Sequence, residues 1–154
     1  MEIAPSDRII LSMLQANARE RLETIAAEAG VSVATIQRRI RAMKAEGVIA
    51  ADVAQLSPAA LGYPMSFVIL VELERERIDQ LDAFRRKVRA EPQVQQCYYI
   101  TGDADFALIA LARDMDDYQA LTHRLFFDDS NVKRFRTSVV MDRSKVSLDV
   151  PLED

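Results

Sequence analysis

Residues 30–49 read GVSVATIQRRIRAMKAEGVI, and this stretch decides how the first third of the chain folds. Val33, Ile36, Ile40 and Met43 recur every third or fourth position. That spacing predicts a helix with one buried face. Ser32 is a good N-cap, because its hydroxyl can accept a bond from a first-turn amide. Gly47 supplies the stop. With the inward stripe fixed, Thr35, Gln37, Arg38, Arg39, Arg41 and Lys44 must point elsewhere. The helix therefore carries four cations, with no acid before Glu46.

Upstream, RLETIAAEAG at 21–30 places Leu22, Ile25, Ala26 and Ala29 in one stripe, ended by Gly30. SDRIILSMLQANA at 6–18 does the same with Ile9, Ile10, Met13 and Leu14. Ser6 is its expected N-cap, and Asp7 in the first turn suits the positive end of the helix dipole. Only Gly30, Val31 and Ser32 separate the second helix from the third. Two helices joined by so short a turn containing Gly have helix-turn-helix spacing. The second helix of such a pair fits the major groove of duplex DNA, its N-terminal half reaching base edges. Here that half offers Ser32, Thr35, Gln37 and Arg38, while Arg39, Arg41 and Lys44 are placed for phosphates. The bland alternative is a solvated basic face.

Charge separates the chain. Residues 1–49 hold 7 Lys and Arg against 6 Asp and Glu, whereas 50–154 hold 13 against 18. A net charge of −4 argues against nonspecific nucleic-acid binding by the whole surface. It leaves room for a local basic patch, since exposed charges are screened beyond about 8 Å at physiological salt. Apolar content of 49% and charged content of 29% are globular values. The longest apolar run, FALIALA at 106–112, is too short to span a bilayer. The opening MEIAPSDR lacks the basic and apolar regions of a secretory leader. A single cysteine, Cys97, leaves no internal disulfide. These features predict a cytoplasmic protein without a membrane partner.

Residues 49–64, IAADVAQLSPAALGYP, form a connector in which the alternation over Val48–Leu56 predicts a strand. Beyond it the segments alternate in type. Strands are expected at 65–74, 94–100, 105–112 and 132–142. Helices are expected at 77–90, with Ile78, Leu81, Phe84 and Val88 inward, and at 115–127, with Tyr118, Leu121, Leu125 and Phe126 inward. The order β-α-β-β-α-β is the ferredoxin-like arrangement. The fold class is α+β, a helix-turn-helix (winged-helix-like) domain at 1–49, a connector at 50–64, a ferredoxin-like domain at 65–142 and a tail at 143–154. FVILV and ALIALA do not alternate with polar residues, so the sheet face away from the helices is apolar too. A face of that kind predicts a dimer, sheet against sheet, and a two-fold dimer presents two recognition helices to two half-sites.

LETIAAEAGVSVATIQRRIRAMKAEGVI, SPAALGYP and ITGDADFALIA, in that order and spacing, resemble the Lrp/AsnC, or feast/famine, transcription regulators over nearly the whole chain. The resemblance implies double-stranded DNA as partner, and dimers assembled into octamers or open arrays. It also implies an amino acid or related metabolite bound between sensor domains. By position, that effector site falls on Thr101, Gly102, Asp103 and Asp105, and on Thr137 of the last strand. Amides around Gly102 would receive an α-carboxylate, and Asp105 an α-ammonium. A plain hairpin turn is the competing reading of Gly-Asp. Family members often carry two hydroxyl residues two apart on the last strand, where this chain has Phe135 and Thr137.

No catalytic or metal site is expected. His123 is the only histidine and Cys97 the only cysteine, too few for a zinc site. No cofactor is implied. Two alternatives stay open: an enzyme subunit of the siroheme-decarboxylase type, disfavoured by the single histidine, and an architectural DNA-binding protein without a ligand. The tail DVPLED at 149–154 is expected to fray.

Overall fold

The computed structural model describes residues 2–152. The chain forms two compact units. One runs to Gln55 and takes in the chain again from Lys145; the other is Leu56–Ser144.

The first unit is built from α1 (Pro5–Ala16), α2 (Leu22–Ala29) and α3 (Val33–Ala45). The three apolar stripes meet in a small core of Ile10, Ile25, Ala26, Ile36 and Met43. Gly30 closes α2 at φ 67°, the left-handed region that glycine enters without steric cost. Ser32 caps α3, accepting from the Thr35 amide at 3.2 Å. Two expectations fail here. α1 starts at Pro5 behind Ala4, so Ser6 lies inside the helix, and Asp7 accepts from the Ala4 amide at 2.9 Å instead. No strand forms over Val48–Leu56, and so no wing is seen among the described residues. The amides of Val48 and Ile49 turn back to the Met43 carbonyl, at 2.8 and 3.1 Å. The connector beyond has no regular secondary structure and is exposed, Val53 to 78%. Alternation reports a strand only where a neighbouring strand offers hydrogen bonds, and a single chain offers none there.

The second unit opens with a short 3-10 turn (Ala59–Leu61) and continues as β1 (Met65–Leu73), α4 (Ile78–Arg89), β2 (Val94–Tyr99), β3 (Phe106–Ala112), α5 (Met115–Thr122) and β4 (Val132–Val139). A π-helical turn, His123–Phe127, extends α5. The strand order is β2-β3-β1-β4. Every neighbouring pair is antiparallel. The expected ferredoxin-like topology is the one observed. Phe67, Ile69 and Val71 of β1 and Phe106, Leu108 and Ala110 of β3 face the helices. They pack against Leu81, Phe84 and Val88 of α4 and Tyr118, Leu121 and Leu125 of α5 and its extension. Ile78 does not join them: it is the first residue of α4 and is 78% exposed. The opposite face carries Val68 and Leu70, level with Ile109 and Ala107, under no helix. No helix among the described residues is long and apolar enough to cross a membrane.

Candidate DNA-reading helix and effector turn

The packing of α3 divides its polar residues into three groups. Ile36 and Met43 point into the core. Gln37, Arg38 and Arg41 are exposed, and their side chains make no hydrogen bond or ion pair with another described residue. They form a free polar surface on the helix. Ser32 and Thr35 are partly engaged at its N-terminus, where their hydroxyl oxygens lie 3.0 Å apart.

Arg39 does a different job from the one its charge suggests. Its Nε donates to Asp7 Oδ1 at 2.7 Å, and its Nη2 donates to Asp7 Oδ2. The Asp7 side chain is wholly buried and that of Arg39 is 28% exposed. A fork-to-fork bond of this kind fixes both direction and distance. It ties the first turn of α1 to the middle of α3. The guanidinium holds the Asp7 carboxyl below the usual carboxylate range, and the carboxylate in turn pushes the Arg39 pKa up. Two nitrogens of the Arg39 fork are thus engaged by Asp7, and a phosphate would compete with that carboxylate for them. Lys44 pairs with Asp52, but both side chains are more than 40% exposed. Such a pair is worth little in water and exchanges readily for a phosphate.

The turn at Thr101–Asp105 joins β2 to β3. Thr101, Gly102 and Asp103 are exposed, and Gly102 sits at φ 106°. A side chain there would meet nothing, so the outer side of the turn is open. Asp105 faces inward. Its Oδ2 accepts from the Leu73 amide at 2.6 Å, and its own amide donates to the Val71 carbonyl at 2.9 Å. It fastens the turn to the end of β1. Thr137 lies on the helix-covered face of β4, opposite Ile69, where its hydroxyl pairs with that of Tyr118. The Tyr118 ring stacks on Phe67 at 4.3 Å. Phe135 packs against Phe126 at 4.5 Å and, edge-on, Phe127 at 5.5 Å.

Within one chain these effector candidates are not neighbours. Thr137 is level with Ile69 and Leu108, whereas the turn closes beyond Phe106. Two strand spacings, about 10 Å, already separate β3 from β4. A feature that the sequence did not suggest is a cleft of about 370 Å³ between α4 and the edge strand β2, lined by Arg85, Arg89, Cys97 and Tyr99 among others. Burial pushes the Cys97 thiol pKa up, opposed by Arg85 and Arg89.

This arrangement, an N-terminal helix-turn-helix ahead of a ferredoxin-like unit, matches two family profiles. The AsnC-type helix-turn-helix domain covers residues 6–44, and the Lrp/AsnC ligand binding domain covers residues 66–149. The chain belongs to the Lrp/AsnC family. It is 42% identical to the HTH-type transcriptional regulator y4tD of Sinorhizobium fredii, over 99% of this chain and 90% of the relative. It is 35% identical to the Bkd operon transcriptional regulator of Pseudomonas aeruginosa, over 80% of this chain and 83% of that one. Among solved structures, Escherichia coli AsnC superposes with TM-score 0.87 at 26% identity, over 98% of this chain and all of that one. A Neisseria meningitidis regulator in complex with L-Met superposes with TM-score 0.90 at 25% identity, over 98% and 97%. The Lrp/AsnC relatives are named as transcriptional regulators, not as enzymes.

In this Lrp/AsnC chain, sequence reasoning found the helix and the turn but missed three contacts of their side chains. The Asp7–Arg39 pair spans 32 residues, as does the bond from Leu73 to Asp105. The bond between Tyr118 and Thr137 spans 19. The one local signal was the acidic residue in the first turn of α1, which has a second reading as a partner for a later arginine.

Proposed function

We propose that this regulator reads duplex DNA through Gln37, Arg38 and Arg41 of α3, with Ser32 and Thr35 at the helix start and Lys44 at its end. The free side chains of Gln37, Arg38 and Arg41 carry this reading, because nothing else among the described residues engages them. Arg38 is the base reader, and Arg41 and Lys44 are the phosphate contacts. The working form is a dimer, closed by a second copy over the apolar sheet face around Val68, Leu70 and Ile109, with higher assembly following. An amino acid or related metabolite is the effector, received at the open amides around Gly102 and at Asp103, and completed by a neighbouring copy. Asp105 serves there by holding the turn, and Thr137 by way of Tyr118.

Fluorescence polarisation with the DNA upstream of this gene tests the reading, with random DNA as control, at about 50 and 200 mM salt. Arg41 and Lys44 from two protomers give four phosphate contacts, so affinity falls about 10²-fold across that range. No preference over random DNA at low salt, with a mixed amino-acid pool present and absent, refutes it. Sedimentation of Ile109→Asp tests the dimer, which predicts a monomer.

One observation favours a second reading without an effector. The Asp105 carboxylate and the Thr137 hydroxyl both have partners inside the chain. A thermal-shift screen with the common amino acids separates the two. A stabilising amino acid supports the effector, and a flat response across the set supports ligand-independent binding.

A further inference from the structure

The segment expected to fray has a seat. Residues from Lys145 onward belong with the helix-turn-helix unit. Gln15, at the end of α1, reads the backbone of Val150 in both directions. Its Nε2 donates to the Val150 carbonyl at 3.0 Å, and its Oε1 accepts from the Val150 amide at 2.9 Å. Arg8 donates to the Leu152 carbonyl at 3.4 Å. Leu152 is half-buried and lines a groove of about 330 Å³ together with Arg8, Ile9, Ser12, Met13 and Glu28.

The local sequence suits this placement. Val146, Leu148, Val150 and Leu152 alternate with other residues, the pattern of an extended chain. Pro151 biases Val150 toward an extended backbone. The side chains of Gln15 and Arg8 then read the tail's backbone, and Leu152 forms part of the groove wall. The occupant is the segment 150–152 of this same chain.

We propose that residues 145–152 are a strap whose seat is the Gln15 face of α1 in the same chain, and that the seated strap gives the helix-turn-helix unit a second tether. The chain enters this unit once through the connector that ends at Gln55 and again at Lys145. A single connector without regular secondary structure leaves the unit wide orientational freedom. A second attachment closes a loop and removes much of it. A two-fold regulator must hold two recognition helices at one half-site spacing. Restricting their freedom before binding raises affinity for paired half-sites and not for a single one. The strap departs from β4, the strand that bears Phe135 and Thr137. Its seat is on the helix whose Asp7 holds Arg39 of α3. Two exposed hydrogen bonds, a longer one from Arg8 and one half-buried leucine make a seat that opens readily, as a regulated tether requires. The functional part of this inference rests on the DNA-reading role proposed for α3.

Hydrogen exchange of the C-terminal peptide, measured by mass spectrometry on the intact protein, tests the seat. The peptide exchanges more slowly in the native protein than in Gln15→Ala. Equal exchange in the two overturns the seat. A mixed dimer of a Gln15→Ala chain and a chain stopped after Ser144 tests its location. The surviving tail stays unprotected, although its partner offers an intact Gln15; protection there means a seat between copies and overturns the same-chain assignment. Polarisation titrations on one and two half-sites test the tether. Gln15→Ala and the chain stopped after Ser144 both bind two half-sites about tenfold more weakly, with single-site affinity unchanged. Equal loss on both duplexes, or loss on neither, overturns the tether. The exchange arm reads the seat even where no duplex is bound, so failure of the strap and failure of the DNA-reading role give different results.

Discussion

Replacing Asp7 with alanine removes one carboxylate and leaves three donors without it: the Ala4 amide and two nitrogens of the Arg39 guanidinium. Breaking a fully buried ion pair costs about 3–5 kcal/mol. Here Asp7 is wholly buried but Arg39 is 28% exposed, so water can reach part of the vacated site. The expected loss is therefore lower, about 2 kcal/mol. The unit that bears it is small, with only Ile10, Ile25, Ala26, Ile36 and Met43 buried in its core. In a unit of that size the loss corresponds to roughly 10 °C in Tm. Far-UV circular dichroism reports it, because the regular secondary structure among this unit's described residues is all helix. Arg39→Met shifts the melt in the same direction, and the Asp7→Leu, Arg39→Met pair recovers much of the loss, since no charge is then left unpaired. At temperatures where the fold persists, Arg39→Met binds DNA with an unchanged salt slope. An unchanged melt together with a salt slope reduced by about one would falsify the positioning role and restore Arg39 as a phosphate contact. The pH dependence follows in sign. The folded pKa of Asp7 lies below its ordinary value, so its contribution is complete above that value and is lost as pH falls through the acid range toward the folded one.

The other expectations are direct. Arg38→Ala costs about 1–3 kcal/mol at one base pair and leaves random-DNA affinity nearly intact; equal losses on operator and random DNA would remove Arg38 as a base reader. Arg41→Ala weakens both equally and lowers the salt slope by about one per protomer. Gly102→Ala meets no steric obstacle but must hold φ at 106°, and so it destabilises the sensor unit by about 1–2 kcal/mol in urea titration. Cys97 reacts with a thiol reagent more slowly than a free thiol at pH 8, and the gap narrows as pH rises. Arg89→Ala removes an opposing cation and slows that reaction further.

Much of this fold was legible because its signals are local. Ile36 and Met43 repeat with the period of a helix, and both are buried. Ser32 caps α3 through a bond three residues away. Apolar residues on both faces of β1 and β3 announced a sheet with a second apolar side. What escaped depends on partners far along the chain. Nothing near Arg39 distinguishes a phosphate contact from an arginine filled by Asp7. Val53 and Leu56 have the pattern of a strand but no neighbouring strand within one copy. Ile78 matched the inward period of α4, yet as its first residue it lies beyond the edge of the core. The tail read as a fraying terminus, and only the position of Gln15 on α1 shows why it is held. The turn at Gly102 was found from its residue types, but the inward rotation of Asp105 follows from a bond to β1, 32 residues away.

The strand order β2-β3-β1-β4 has a consequence for synthesis. β1 is an inner strand, yet both of its neighbours are made after it. When Leu73 has been added, β3 and β4 do not yet exist, and the last of β4, Val139, lies 66 residues further on. At about 5–20 residues per second, the wait lasts several seconds. Until β3 is made FVILV has two open edges, and until β4 is made it keeps one, the condition under which strands join other chains. The helices of the first unit are complete by Ala45, so a nascent chain holds the three helices of its DNA-reading unit in front of an unfinished and adhesive sheet.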